Sequence, residues 1–116
     1  MDFEEVYEKQ KKLDKKIVDK YNNQNGFDMG FEQKHFLVDR LLALSVEVSE
    51  LANATREFKY WSTKESESKE RLLDEFADII HFVFSVADSL DFTVEEIEAA
   101  YLKKHEENYR RQEEGY

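Results

Sequence analysis

Two stretches of the chain each carry a pair of carboxylates at positions i and i+3: Glu47 and Glu50 in EVSE, and Glu75 and Asp78 in EFAD. Residues three apart on a helix share one face, with β-carbons about 5–6 Å apart. Taking Leu44 as zero and adding about 100° per residue, Glu47 falls at about −60° and Glu50 at about −120°, near Ala43 and Ala54. Glu47 therefore borders an apolar stripe, and the alanines leave room beside it. Glu75 likewise shares a helix side with Phe82 and Val86. If the two helices pair, four acids converge, and two carboxylates about 5 Å apart repel by roughly 3 kcal/mol at an effective dielectric near 20. Bound cations or added protons relieve that repulsion. Oxygen-only donors favour Mg²⁺, with Mn²⁺ as a substitute. The alternative is that these are solvated faces of acidic helices, since one ExxE or ExxD is common in a chain with 27 acids. Two such motifs in successive helices, both beside small or apolar neighbours, keep the metal site open.

Other polar residues stand out by position. Gln10 lies on the same stripe as Val6, Leu13 and Ile17, with Asp14 one turn on, and polar groups there need partners. Either they form a helix-to-helix hydrogen bond or they contact a ligand at the edge of the core. Trp61, the single tryptophan, sits in FKYWSTK between the acidic stretches, where an indole stacks on a nucleobase or covers the end of a bundle. Lys104, Asn108 and Arg111 form one stripe by their spacing of four and three, which suits a polyphosphate or a solvated face. Among the histidines, His81 reads as a core residue within an apolar run and His105 as a weak candidate. His35 closes a lone ExxH, whereas a di-iron bundle needs two. No activated serine or cysteine nucleophile is visible, so no covalent intermediate is expected.

The elements that must position these groups are helical. A chain of 116 residues predicts one domain over residues 1–116. There is no proline and only three glycines, so the punctuation of a many-stranded sheet is missing. The expected fold is all-α, an antiparallel bundle of four main helices. The first spans roughly residues 3–21 and is followed by a loop at 22–32, whose Phe27, Met29 and Phe31 suggest packing. The second, roughly 34–58, carries Leu37, Leu41, Leu44, Val48 and Leu51 as a core-facing stripe. The third runs from 72 to about 90 after a serine-rich connection in which Ser62 with Glu65, or Ser68 with Arg71, marks the helix start. Its IIHFVFSVA half is apolar on nearly every side, more than a chain this small can cover, so partner subunits are the natural source of cover. The fourth opens with a capping box formed by Thr93 and Glu96.

A formal net charge of −10 argues against binding a nucleic-acid polymer, though it permits a phosphate ligand if divalent cations lie between. The absence of cysteine and of a secretory pattern at the N-terminus predicts a cytoplasmic location. No apolar run is long enough to span a bilayer.

Three blocks, LLALSVEVSELANATREFKYWS, LLDEFADIIHF and YLKKHEENYRRQEEGY, together resemble the all-α nucleoside triphosphate pyrophosphohydrolases, and within them the dimeric dUTPase branch rather than the generic MazG branch. The loop tryptophan and the RQxxGY ending are the more specific parts. The resemblance implies that Glu47, Glu50, Glu75 and Asp78 bind Mg²⁺ and carry catalysis. It also implies that Lys104, Asn108 and Arg111 contact the triphosphate, that Trp61 lies against uracil, and that Gln10 and Asp14 read the base, with Arg56 and Lys59 as further phosphate contacts. The substrate it implies is dUTP, hydrolysed to dUMP and pyrophosphate by a homodimer, with a homotetramer as the alternative. The chain departs from the pattern in two ways. It has the compact length of MazG-like proteins, and it carries Asp14 where some members have asparagine. An ionised carboxylate only accepts hydrogen bonds, so Asp14 suits the uracil N3 proton or the amino group of cytosine. The alternatives are a MazG-like enzyme acting on dCTP or another nucleotide, and a non-catalytic helical assembly module.

Overall fold

The computed structural model describes residues 2–25 and 36–115, with the side chains at 22, 24 and 25 left aside. The packing expected of Phe27, Met29 and Phe31, and the role of His35, lie outside the described residues. Within those residues the fold is all-α, with helices α1 (Phe3–Asn25), α2 (Leu37–Thr55), α3 (Lys69–Ser89) and α4 (Val94–Glu113) and no strand. Helix α1 thus continues through residues expected to form a loop.

The helix ends follow from local chemistry. The Asp2 carboxylate accepts the Glu5 N–H at 2.8 Å at the start of α1. Ser68 caps α3 by accepting the Arg71 N–H at 3.2 Å. At α4 the capping box is closed in both directions: Glu96 N–H donates to Thr93 Oγ1 at 3.1 Å, and Thr93 N–H donates to Glu96 Oε1 at 2.9 Å. Those hydrogen bonds hold the Glu96 carboxyl below its ordinary range. Helix α2 ends on Arg56 in the left-handed region, φ 65°, an uncommon conformation for a residue with a side chain. The connection then returns to the same helix end, where Glu67 N–H donates to Ala54 O at 3.0 Å.

Helices α2 and α3 form an antiparallel hairpin: Glu67 meets Ala54 at one end, and Arg40 meets Ser85 and Ser89 at the other. Helix α1 packs on the C-terminal half of α3 around Tyr7, Phe84 and Ala87, and Val94 and Ile97 of α4 join that cluster. Tyr7 is fully buried; it stacks on Phe84 at 5.5 Å and donates its hydroxyl to Phe92 O at 2.7 Å. Burial, reinforced by the charges of Asp88 and Asp91, pushes its phenol up to about 12. Among the described residues the backbone of helix α4 comes close to that of α1 and not to that of α2 or α3, and Val94 and Ile97 make its contact with the cluster.

Two expected stripes are displaced. On α1 the buried positions are Tyr7, Gln10, Asp14 and Val18, while Leu13 and Ile17 are largely exposed. The helix is rotated so that a polar seam, not an apolar one, meets α3. On α2 the side facing α3 holds Arg40, Glu47 and Ala54, which leaves Leu41 and Val48 about half exposed at its edge. His81 also lies on the exposed side of α3, not in the core. The apolar run of α3 is covered only in part, with Leu73, Phe76, Ile80 and Val83 open along one stripe.

The chain is therefore spread out. Its radius of gyration is 17.9 Å, against about 13 Å for a compact chain of this length. Its accessible surface is 9163 Å², against roughly 6,700 Å² for a compact monomer of this mass.

Candidate active site

The hairpin brings the two acid motifs together. One carboxylate oxygen from each of Glu47, Glu75 and Asp78 lies within 4.8 Å of the others, so α2 supplies one acid and α3 two to a common point. Glu50 is close enough to Glu47 for its charge to act on it. Burial, followed by the charges of Glu50 and Asp78, holds the Glu47 carboxyl above its ordinary range. Glu75 is only 4% exposed, and Oε2 of Glu75 and Oε2 of Glu47 are buried with no hydrogen-bond partner.

Buried carboxylate oxygens without donors are costly, and clustering them adds repulsion. A hard divalent cation satisfies both deficits at once, so the donor set fits Mg²⁺ or Mn²⁺. One cation is already present in the form of Arg71, whose Nη2 lies 2.7 Å from Glu75 Oε1. Arg71 also lines a cavity of about 560 Å³ on this side of the hairpin, together with Glu50, Asn53, Arg56, Glu67 and Glu75. Arg56 donates to Ser62 Oγ at 3.0 Å, and its Nε is buried with no partner.

Gln10 and Asp14 are buried at 7% and 4% exposure, and both reach α3. Gln10 Nε2 donates to Asp14 Oδ1 at 2.9 Å and to Ser85 Oγ at 3.1 Å, and Ser85 Oγ donates to Asp14 Oδ1 at 2.9 Å. The helix-to-helix hydrogen bond is thus realised. Asp14 Oδ2 has no hydrogen bond and lies 3.9 Å from Arg40 Nη2. Arg40 is itself buried, and its Nη1 donates to Ser85 O at 3.0 Å and to Ser89 Oγ at 2.7 Å. This network walls a cavity of about 260 Å³ whose other lining includes Ile17, Phe36, Ala43 and Phe82. It has room for one small heterocycle, with apolar walls and a carboxylate at one side.

The remaining expected site residues are not gathered to the acids within this chain. Trp61 is exposed in the turn after α2, in edge contact with Tyr60 at 5.2 Å and Phe58 at 6.1 Å. Lys104, Asn108 and Arg111 lie on the part of α4 beyond its contact with α1, and Lys104 and Arg111 both reach Glu107, at 3.6 and 2.5 Å. Arg40, Ser85 and Arg71 escaped the sequence reading. Arg40 had a signal, as the one cation on α2. Ser85 had a weaker one, a hydroxyl within an apolar run.

A family model described as dUTPase matches residues 2–89 and 83–116, which takes in both acid motifs, the loop tryptophan and the α4 stripe. The chain belongs to the all-α dUTPase family. The family is typically metal-dependent, and the acid cluster is consistent with that. A curated relative, the dCTP pyrophosphatase of Enterobacteria phage T4, is 29% identical over 101 residues, covering 73% of this chain and 59% of its own length. The chain thus spans about three-fifths of the relative it matches. No solved structure matches the chain. Among the described residues, no helix of this dUTPase-family chain is long and apolar enough to cross a membrane.

Proposed function

We propose that the chain hydrolyses dUTP to dUMP and pyrophosphate at the Glu47, Glu50, Glu75 and Asp78 cluster. The observation that carries this reading is the convergence of three acids within 4.8 Å, two of them with buried, unpartnered oxygens, in a member of a dUTPase family. These acids would hold Mg²⁺, which supplies charge neutralisation at the phosphates and a lowered pKa for the attacking water. In this reading Glu47 or Glu50 is the acid that accepts the water's proton. Lys104, Asn108 and Arg111 supply a stripe of phosphate contacts once α4 is brought against the substrate. Trp61, whose turn lies at the opposite end of the hairpin from Asp14 and Arg40, supplies an aromatic face for the base held by a second chain.

The base sits in the 260 Å³ cavity in this reading, with Asp14 Oδ2 accepting the uracil N3 proton. A second reading, dCTP as substrate, is favoured by two observations. The same oxygen accepts equally well from the cytosine amino group, and the phage T4 relative is a dCTP pyrophosphatase. A panel of dUTP, dCTP and dTTP with Mg²⁺, read by pyrophosphate release, separates them. The expected outcome is a higher kcat/KM for dUTP than for dCTP, whose N3 carries no proton, and than for dTTP, whose 5-methyl adds bulk in a cavity of about 260 Å³. A dCTP preference transfers the chemistry to the second reading. Metal binding without turnover of any nucleotide leaves a non-catalytic assembly module.

Metal removal gives an independent check. At a cation concentration about a hundredfold above Kd, the folded state gains roughly 2.7 kcal/mol, or about 10 °C in melting temperature for a chain of this size. Mn²⁺ or Mg²⁺ should produce that rise and EDTA should reverse it. The rise should shrink as pH falls, because protons compete with the cation for Glu47, whose carboxyl is held above its ordinary range by burial and by Glu50 and Asp78 in the metal-free fold. A melting curve indifferent to both additions discards the metal centre.

The working unit in this proposal is a homodimer, with a tetramer as the alternative that light scattering would reveal. Leu41, Leu44, Val48 and Leu51 on α2, and Leu73, Phe76, Ile80 and Val83 on α3, each follow a three-four-three spacing, the seam of a helical bundle. The seam is turned from the acid pair by about 110° on α2 and about 150° on α3, in the same sense. In an antiparallel hairpin, that puts both seams on one side. The surface in excess of a compact monomer is about 2,500 Å², more than the roughly 800 Å² per partner of a standard interface. A second hairpin laid across these seams completes a four-helix bundle.

A further inference from the structure

We propose that Arg71 is an exchangeable counter-cation: it neutralises Glu75 while the acid cluster holds no metal, and passes to a phosphate of the nucleotide when a divalent cation takes that carboxylate. The inference rests on the metal-centre reading above and adds to it a residue that reading does not use.

The Arg71–Glu75 pair is asymmetric. The carboxylate side chain is 5% exposed and the guanidinium side chain 58%. Arg71 thus approaches a buried acid from the solvent side, one helical turn earlier on α3, at 2.7 Å. A buried carboxylate needs a partner, and an exposed arginine is free to leave one. Glu75 is divided between two demands. Oε1 faces Arg71 and Oε2 is buried and unpartnered, while one oxygen of the same carboxylate lies within 4.8 Å of those of Glu47 and Asp78. A divalent cation at the cluster therefore competes with Arg71 for the same group. Release costs no backbone change, because the long side chain only has to change rotamer.

The destination is the 560 Å³ cavity, which Arg71 already lines opposite a second guanidinium, Arg56. Nε of Arg56 is buried and lacks a hydrogen-bond partner. Two planar, permanently charged forks beside an acid cluster match the multiple oxygens of a di- or triphosphate. The binding order that follows is metal first at Glu75, then phosphate at the freed arginine.

Isothermal titration with Mn²⁺ alone, followed by inorganic pyrophosphate in saturating Mn²⁺, tests the exchange on wild type, Arg71→Gln and Lys69→Gln. Lys69 is an exposed cation of the same first turn and serves as the charge control. Arg71→Gln should bind Mn²⁺ roughly three- to fivefold tighter and pyrophosphate roughly three- to fivefold weaker, the scale of an ion pair with one exposed partner. Lys69→Gln should change neither. Opposite signs for the two ligands are the signature, since a purely structural arginine would weaken both. Unchanged or weaker Mn²⁺ binding in Arg71→Gln overturns the exchange, as does unchanged pyrophosphate binding or a Lys69→Gln variant that behaves like Arg71→Gln. A wild-type protein that binds no Mn²⁺ removes the metal-centre reading itself, and the exchange with it.

Discussion

Replacing Asp78 with asparagine should reduce pyrophosphate release from dUTP by at least about a hundred- to a thousandfold, the scale of removing one electrostatic contact to a developing charge. The side chain keeps its size and loses only its charge. The metal-free fold should not suffer, because Asp78 is one of the charges that push the Glu47 carboxyl up. Deleting it relieves a clash of like charges. Activity should therefore collapse while the melting temperature without metal stays level or rises, a pattern expected where a site is held under strain for function. Glu75→Gln should lose activity to a similar degree but leave Arg71 without its ionised partner. Turnover unchanged in both variants, measured by pyrophosphate release, would remove these acids from the site.

An aspartate at Ile80 should leave the chain monomeric. Ile80 lies mid-seam on α3, with Phe76 and Val83 on either side of it along the stripe. Ile80 is 37% exposed in the single chain, so burying the remainder contributes about 0.5–1 kcal/mol, and a symmetric dimer counts the loss twice. The dissociation constant should rise roughly five- to thirtyfold from that alone, and the cost of burying two carboxylates at the seam raises it much further. Light scattering at micromolar concentration should report the mass of one chain for Ile80→Asp. For Lys16→Asp, on the exposed face of α1, it should report that of two. An Ile80→Asp protein with the mass of a dimer would place the contact on another surface.

The acids were readable because their signal is local. An i, i+3 spacing on two successive helices fixes which residues share a face, and only the pairing of the helices was left to infer. The capping boundary at Thr93 was readable for the same reason, since both of its hydrogen bonds close within four residues. The rotation of α1 was not. Hydrophobic periodicity favoured Val6, Leu13 and Ile17, but the face turned inward is set by Tyr7 against Phe84 and by Gln10 and Asp14 against Ser85 and Arg40. Those partners lie on other helices, and a buried polar seam leaves no periodic trace of its own. The Arg71–Glu75 pair was masked in a similar way, since an i, i+4 arginine and glutamate on a charged helix looks like any surface pair until the burial of one member is known.

Among the described residues the packing of α4 is concentrated at its root, which makes a lever of that helix. Val94 and Ile97 are held by the Tyr7 cluster, while Arg111 sits about 25 Å further along the axis at 1.5 Å per residue. A tilt of about 10° at the root carries that guanidinium through an arc of roughly 4 Å without breaking one hydrogen bond inside the helix. Displacements of that size are about the width of a phosphate group, so small adjustments near Phe92 and Thr93 are magnified into the difference between reaching an anion and missing it.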